Sequence, residues 1–203
     1  MKAKTGTDIA YAVSLLKEGK LVAIPTDTVY GLAGDATNER AIKDIYSIKN
    51  RPSSKALIVQ VGDFAGLRKF SIDVNKHVHK LADKFWPGAL TLVVKASDSI
   101  SKHLLAGGET IGFRVPNHPM TLELLKQLGR PLAVPSANIS GQPSPTSAAE
   151  VAEQLGDQIA YILDGGECSI GMESTIVEFK DDQPVIHRVG AISPEKIKEV
   201  LAH

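Results

Sequence analysis

Residues 21–32 of the chain read LVAIPTDTVYGL. The four apolar residues before Pro25 predict a short buried strand, because a continuous apolar run stopped by a proline is typical of strands covered on both faces. The polar run Thr26-Asp27-Thr28 follows this strand directly. Ligands of α/β proteins bind beside loops that follow buried strands. This stretch therefore predicts part of a sheet and part of a functional site.

Helical patterns lie on both sides of this strand. Thr7 or Asp8 can cap a first helix that Gly19 ends, and the apolar spacing of residues 38–48 predicts a second helix. Further helices are predicted at residues 62–69, 74–84, 118–128, 146–155 and 194–201. Further strands are predicted at residues 56–61, 91–94, 110–115, 131–134, 160–163, 175–179 and 185–189.

The order of these elements predicts the fold class. Strands and helices alternate through most of the chain, which is typical of α/β proteins. Residues 180–184 alone separate the last two strands, a spacing that predicts a hairpin and therefore a mixed sheet. We predict one α/β domain over residues 1–203, with an open twisted mixed sheet covered by helices.

Composition excludes several classes of protein. Hydrophobic residues make up 43% of the chain and charged residues 23%, which excludes a disordered or collagen-like chain. The single cysteine, Cys168, excludes an intramolecular disulfide and a cysteine-based zinc site. The chain shows no signal peptide and no run of eighteen apolar residues, so we expect a cytoplasmic protein without a membrane span.

The charges cancel overall but not locally. Twenty-three basic residues balance twenty-three acidic ones, which argues against a broadly basic nucleic-acid-binding surface. Residues 47–62, however, contain Lys49, Arg51 and Lys55 and no acid, and residues 124–149 again contain only basic charges. Convergence of such stretches would form a positively charged cavity suited to a small anionic ligand.

Three further polar loops follow or precede predicted strands. The first, residues 49–55, places two cations two positions apart in a non-helical segment, a spacing suited to phosphate. The second, residues 135–146, is rich in small polar residues and leads into a helix N-terminus, where anions bind. The third is Glu173-Ser174-Thr175, with Arg188 in the next strand. No phosphate-binding P-loop and no dinucleotide-binding glycine motif accompanies them.

Six short motifs in these regions together resemble the YrdC-like family of L-threonylcarbamoyl-AMP synthases. The motifs are TDTVYGL at 26–32, KNRP at 49–52, WPGALT at 86–91, FRVP at 113–116, PSANISG at 135–141 and ESTI at 173–176. The resemblance runs from about Ala10 to Ile192 and is to the short form of the family, without the extra C-terminal domain of longer members.

The resemblance implies a fold, a reaction and partners. The fold is an open α/β structure around a positively charged cavity. The reaction condenses L-threonine, bicarbonate and ATP to threonylcarbamoyl-adenylate and pyrophosphate, a nucleotidyl transfer that serves threonylcarbamoyladenosine modification of tRNA. Proteins that transfer the threonylcarbamoyl group to tRNA act downstream. Weak RNA binding by the chain itself is left open. Magnesium is expected with ATP, held by the phosphates, because the sequence contains no acidic metal motif.

The resemblance also implies roles for single residues, carried over motif by motif. Lys49 and Arg51 are the expected catalytic residues. Five residues are expected to bind threonine, namely Thr28, Gln60, Arg114, Ser136 and Ser174. Five residues are expected to bind the nucleotide, namely Arg51, Lys55, Asn138, Thr146 and Arg188. Two of these positions depart from relatives, since Gln60 replaces a histidine and Lys55 replaces an asparagine.

Two other functions fit the same residues. A double-stranded RNA-binding module could use the basic cavity, although a neutral net charge and an aromatic content of 5% are not typical of RNA-binding proteins. A carbamoyl-transfer domain acting on another amine could use the same fold, and only substrate choice separates it from the synthase.

Overall fold

The computed structural model describes residues 3–202 and contains a ten-stranded sheet with seven α-helices. The strands are β1 (Lys4–Gly6), β2 (Val22–Ile24), β3 (Gly31–Asp35), β4 (Val59–Gln60), β5 (Leu90–Lys95), β6 (Thr110–Arg114), β7 (Leu132–Ala133), β8 (Tyr161–Leu163), β9 (Thr175–Lys180) and β10 (Gln183–Arg188). The helices are α1 (Ile9–Lys17), α2 (Glu39–Ile48), α3 (Phe64–Lys69), α4 (Lys76–Phe85), α5 (Pro119–Leu128), α6 (Ala148–Leu155) and α7 (Pro194–Ala202). Within these residues, none of the helices is long and apolar enough to cross a membrane.

The sheet is mixed, as the sequence predicts. Its strand order is β1-β8-β2-β3-β7-β4-β6-β5-β9-β10, with both parallel and antiparallel neighbours. The predicted hairpin is β9–β10, which pair antiparallel. Asp181 and Asp182 form its turn with φ values of 48° and 61°, the conformation that a tight hairpin with right-handed strand twist requires.

Helices cover both faces of this sheet. On one face α1 and α5 pack together, and their residues Leu16 and Leu124 are fully buried beside Val22 of β2. The next residue along β2, Ala23, points to the opposite face, where α2, α4 and α6 pack and where Leu81 is fully buried. Side chains alternate along a strand, so a continuous apolar run can fill two cores at once. The confirmed open mixed sheet with its covering helices follows from this pattern.

Two strands and one helix cap differ from the sequence prediction. β1 and β3 were not predicted, because Lys4–Gly6 is exposed and polar and Gly31–Asp35 contains two glycines. Residue 31 must be glycine, because a Cβ added there would lie 2.2 Å from Cγ1 of Val134, which follows the neighbouring strand β7. The cap of α6 is Ser147, whose hydroxyl accepts the N–H of Glu150. The helix that was predicted to begin at residue 146 therefore begins at Ala148, directly after this cap.

Thr175 fixes the position of the last strand relative to the rest of the sheet. Its buried hydroxyl accepts the N–H groups of Gly190 and Ile192, each at 3.0 Å, and donates to the Ile192 carbonyl at 2.6 Å. One side chain thereby satisfies three backbone groups of the segment that follows β10. This segment begins directly after Arg188, so the same contact sets where that arginine lies.

Replacing Thr175 with valine should destabilise the fold by about 2–4 kcal/mol, because the shape is kept while three buried backbone groups lose their partner. Thermal or urea unfolding of Thr175→Val measures the change. The matched control is Thr110→Val at the exposed start of β6, which should change the free energy of unfolding by less than about 0.5 kcal/mol. Equal stabilities of the two variants would contradict the role given to Thr175.

Candidate functional site

A cleft lies on the sheet face that carries α1 and α5. Val134 belongs both to the core under these helices and to the wall of the cleft. Gln60 and Arg114 are register partners in β4 and β6, so their side chains lie on the same face. The wall also includes segments that follow β2, α2 and β7 and that precede β9, together with Arg188 of β10. Its residues are Thr26, Thr28, Val29, Tyr30, Gly31, Arg51, Ile58, Gln60, Arg114, Val134, Pro135, Ser136, Glu173, Ser174 and Arg188.

Most of the sequence-predicted site residues meet in this cleft. All five residues expected to bind threonine line it, and so do Arg51 and Arg188. The other predicted residues, Lys49, Lys55, Asn138 and Thr146, lie outside the wall.

Arg114 is tied into the site by three hydrogen bonds. It is 5% exposed, and its guanidinium donates to the Gly88 carbonyl at 2.9 Å, to Thr28 Oγ1 at 2.6 Å and to Asp27 Oδ1 at 2.5 Å. Asp27 Oδ1 also accepts the N–H of Asn117 at 3.0 Å. The charge of Arg114 is thus balanced by Asp27, and its position fixes the hydroxyl of Thr28. Two of the five guanidinium N–H groups have no acceptor within residues 3–202 and can serve a ligand.

Arg51 and Arg188 are each anchored on one side only. Arg51 donates to the carbonyls of Lys55 and Ala56 at 3.2 and 2.8 Å, and Arg188 donates to the carbonyl and hydroxyl of Ser174 at 3.0 and 3.1 Å. Among residues 3–202, neither Nη1 atom has a hydrogen-bond partner, and neither arginine has a carboxylate within 4.0 Å. Burial lowers the pKa of both groups; for Arg188 the charge of Glu173 acts in the opposite direction, and the charge of Arg51 lowers its pKa further. An anion between them would relieve both effects.

Lys49 lies behind the wall and holds one of its loops. It is fully buried, and its Nζ donates to the carbonyls of Ser136 and Asn138, both at 2.5 Å, and to Asn138 Oδ1 at 3.2 Å. Burial lowers the pKa of Lys49 to about 8, and the charge of Arg51 acts in the same direction. Lys49 therefore orders the loop that carries Ser136.

Asn138 continues this support along the same loop. Its Nδ2 donates to the carbonyls of Ile139 and Gln142, at 3.0 and 2.7 Å, and its Oδ1 accepts the hydroxyl of Ser136 at 2.5 Å. The predicted contact of Asn138 with a nucleotide stays a prediction, and so does the predicted contact of Lys49 with phosphate.

The two remaining predicted residues are placed away from the wall. Lys55 is exposed, and its backbone carbonyl accepts hydrogen bonds from Tyr46 and Arg51. Thr146 pairs with the carboxylate of Glu150 through its N–H at 2.7 Å and its hydroxyl at 3.3 Å. Their predicted contacts with the nucleotide also stay predictions.

The cleft presents several hydroxyl groups and one unpaired amide oxygen. Thr28 Oγ1 lies 3.0 Å from Thr26 Oγ1, and Ser174 Oγ lies 2.7 Å from Thr91 Oγ1. Gln60 is 3% exposed, and its buried Oε1 has no hydrogen-bond partner within residues 3–202. A buried acceptor without a partner is unfavourable, so Oε1 is suited to accept a hydrogen bond from a ligand.

Two acidic residues of the site were missed by sequence reasoning. Asp27 stands inside a motif that was singled out, but its partner Arg114 is 87 residues away. Among the residues that the structure describes, Glu173 is the single carboxylate on the wall, and its Oε1 accepts the hydroxyl of Ser144 at 2.6 Å. That hydrogen bond lowers the pKa of Glu173. The motif ESTI at 173–176 contained the signal, since an ionised side chain directly precedes Ser174.

Comparisons with known proteins agree with this geometry. The profile of the Sua5_yciO_yrdC family, described as telomere recombination, matches residues 14–190. The chain is 46% identical over 194 residues to threonylcarbamoyl-AMP synthase of Bacillus subtilis, covering 95% of this chain and 56% of that protein. It is 42% identical over 193 residues to threonylcarbamoyl-AMP synthase of Pyrococcus abyssi, covering 95% of this chain and 57% of that protein.

The solved structure of a relative has the same fold as this chain. Pyrococcus abyssi Sua5 in complex with L-threonine superposes with a TM-score of 0.95 at 40% identity, covering 99% of this chain and 61% of that one. The chain thus spans a little over half the length of the curated relatives named above. The match over most of its residues, in sequence and in fold, means that the chain belongs to the Sua5/YciO/YrdC family.

Proposed function

We propose that the chain is a threonylcarbamoyl-AMP synthase, a nucleotidyltransferase that condenses L-threonine, bicarbonate and ATP. One observation carries the proposal: a single cleft combines a hydroxyl-rich part, with Thr28 and Ser174, and two arginines, Arg51 and Arg188, that have no carboxylate within 4.0 Å among residues 3–202. The first part suits a small polar amino acid and the second suits phosphates. The relatives named threonylcarbamoyl-AMP synthase and the threonine complex of Pyrococcus abyssi Sua5 support the same assignment.

The proposed chemistry proceeds in two steps. The α-ammonium of threonine first loses one proton, and the resulting amine then attacks the carbon of bicarbonate, so that water leaves as the carbamate forms. A carbamate oxygen then attacks the α-phosphorus of ATP, and pyrophosphate leaves in line. No protein side chain becomes covalently attached, so catalysis rests on positioning and on stabilising phosphate charge. A cleft with three arginines and several hydroxyls is suited to that task.

The residues divide between the two substrates. We assign the amino acid to the part with Thr28, Gln60, Ser136 and Ser174, with the free N–H groups of Arg114 directed to its carboxylate or carbamate. We assign the phosphates to Arg51 and Arg188. Lys55, Asn138 and Thr146 are proposed as further nucleotide contacts. Lys49 acts in this scheme by adding positive charge beside Arg51 and by holding the loop of Ser136.

Magnesium fits this scheme as a companion of ATP. Residues 3–202 contain no group of three histidine, cysteine, aspartate or glutamate side chains that could hold a metal ion. We therefore expect the ion to be bound by phosphate oxygens and water. We also expect the product to pass to separate proteins that transfer the threonylcarbamoyl group to an adenosine beside the anticodon of tRNA.

Pyrophosphate release tests the proposal. Purified protein with ATP, magnesium, bicarbonate and L-threonine should release pyrophosphate, and omission of either threonine or bicarbonate should abolish the release. Arg51→Ala should lower the rate by about 100-fold or more, because removing one charged donor to a transition-state oxygen typically does so.

The matched control is Arg40→Ala, which removes an arginine whose side chain is 89% exposed and should leave the rate unchanged. Absence of pyrophosphate release under every combination of substrates would overturn the proposed function. Release that survives in Arg51→Ala would overturn only the placement of the phosphates.

The pKa of Lys49 predicts how ATP binding depends on pH. Below about pH 8 the ammonium is protonated in the free protein, and above that value it is increasingly neutral. Bound phosphates favour the charged form, so ATP binding above pH 8 should take up a proton. The affinity should therefore fall between pH 8 and 9.5, by up to about tenfold per pH unit.

Calorimetry in two buffers of different ionisation enthalpy measures this proton uptake directly. Lys49→Met should bind ATP more weakly at pH 7.5 and should show a flatter pH profile. Proton uptake of the same size in Lys49→Met would assign the titration to another group.

A further inference from the structure

Glu173 is the exception in a cleft whose other charged side chains attract anions. It is the single acidic residue among the described residues of the wall, which otherwise carries three arginines and neutral side chains. A carboxylate at this position weakens the attraction for phosphate. Its presence therefore needs a reason other than nucleotide binding.

The fold orients the carboxylate of Glu173, but only one of its two oxygens has a hydrogen-bond partner among the described residues. Oε1 accepts the hydroxyl of Ser144 at 2.6 Å, and the backbone carbonyl of Glu173 accepts the N–H of Ala191 at 3.0 Å. Within the described residues 3–202, Oε2 has no hydrogen-bond partner. The side chain is thus oriented by the loop of Ser144 while one oxygen stays free.

The negative charge of Glu173 is also not used in an ion pair. No lysine or arginine nitrogen of residues 3–202 lies within 4.0 Å of its carboxylate, although Arg188 is close enough to influence its charge. The hydrogen bond from Ser144 lowers the pKa of this carboxyl, so it is ionised at neutral pH. A fixed, ionised and unpaired carboxylate at a cleft wall is suited to bind a cation.

The ammonium group of an amino acid substrate is such a cation. At neutral pH an α-amino acid is a zwitterion, and its carboxylate and ammonium need partners of opposite charge. The arginines of the cleft can serve the carboxylate, and Glu173 is the only negatively charged group that the described wall offers to the ammonium. Resting on the proposed function, we infer that Glu173 binds the α-ammonium group of the amino acid substrate.

This assignment has a kinetic consequence. The ammonium loses its charge when the carbamate forms, so the interaction with Glu173 is stronger in the bound substrate than in the later transition state. Removing an interaction that is made mainly in the bound substrate weakens substrate binding without raising the barrier of the chemical step. Glu173→Gln should therefore raise KM for threonine, while kcat at saturating threonine should not fall.

Binding of two ligands tests the inference without ATP or metal. The ligands are L-threonine and 2,3-dihydroxybutyrate of the same configuration, in which a hydroxyl replaces the amine. The proteins are wild type, Glu173→Gln and the matched control Glu167→Gln, which changes an exposed glutamate six residues earlier. Melting temperatures of all three confirm that the variants are folded, and the glutamine at 173 can still accept the hydroxyl of Ser144.

Wild type and Glu167→Gln should bind threonine more tightly than the hydroxy acid. Glu173→Gln should bind threonine about 10- to 100-fold more weakly and should lose the preference for the amine, since one charge-assisted hydrogen bond is removed. A structural role of Glu173 would weaken both ligands equally, and that result would overturn the inference. An unchanged preference in Glu173→Gln would overturn it too, with the proposed function intact. Failure of wild type to bind threonine at all would overturn the proposed function together with the inference.

Discussion

The buried pair of Arg114 and Asp27 is the contact on which the cleft depends. Both side chains are about 95% buried, and the two residues lie 87 positions apart in sequence. Through Arg114 the end of β6 is joined to Gly88, which precedes β5, and to the hydroxyl of Thr28 after β2. Burying two charges is unfavourable unless they are paired and hydrogen-bonded, so the pair fixes one arrangement of these segments. The opposite walls of the cleft are thereby placed relative to each other.

Because of this pair, the cleft contains both a balanced and an unbalanced positive charge. The charge of Arg114 is balanced by Asp27, whereas Arg51 and Arg188 keep unpaired guanidinium groups within the described residues. The balanced part lies beside hydroxyls and suits a zwitterion, and the unbalanced part suits phosphates. Cys168, the one thiol of the chain, is unsuited to attack because burial raises its pKa. Catalysis by positioning, with no covalent intermediate, agrees with both facts.

The sequence predicts those parts of the fold that depend on local pattern. Amphipathic helices, apolar strands and the β9–β10 hairpin are visible in periodicity and turn residues, and the structure confirms them. β1 and β3 are not visible in this way, because pairing with other strands, not composition, makes them strands: β1 pairs with the distant β8, and β3 pairs with β2 and with the distant β7. Glycines at Gly31 and Gly34 are explained only by the close approach of neighbours.

The same limit applies to the site. Lys49 has the sequence pattern of a loop cation, and only the folded chain places its Nζ behind the wall, against carbonyl oxygens 87 and 89 residues away. Asp27 and Glu173 were missed because their roles depend on Arg114 and Ser144, which sequence spacing does not bring together. The motif order nevertheless identified every residue expected to bind threonine as part of one cleft.

A crystal structure of the chain with L-threonine and a non-hydrolysable ATP analogue would test the central claim most directly. We expect the amino acid against the hydroxyls of Thr28 and Ser174 and the phosphates between Arg51 and Arg188, with both ligands in the same cleft. Nucleotide bound on another surface, or threonine bound where the phosphates are expected, would contradict the division of the cleft.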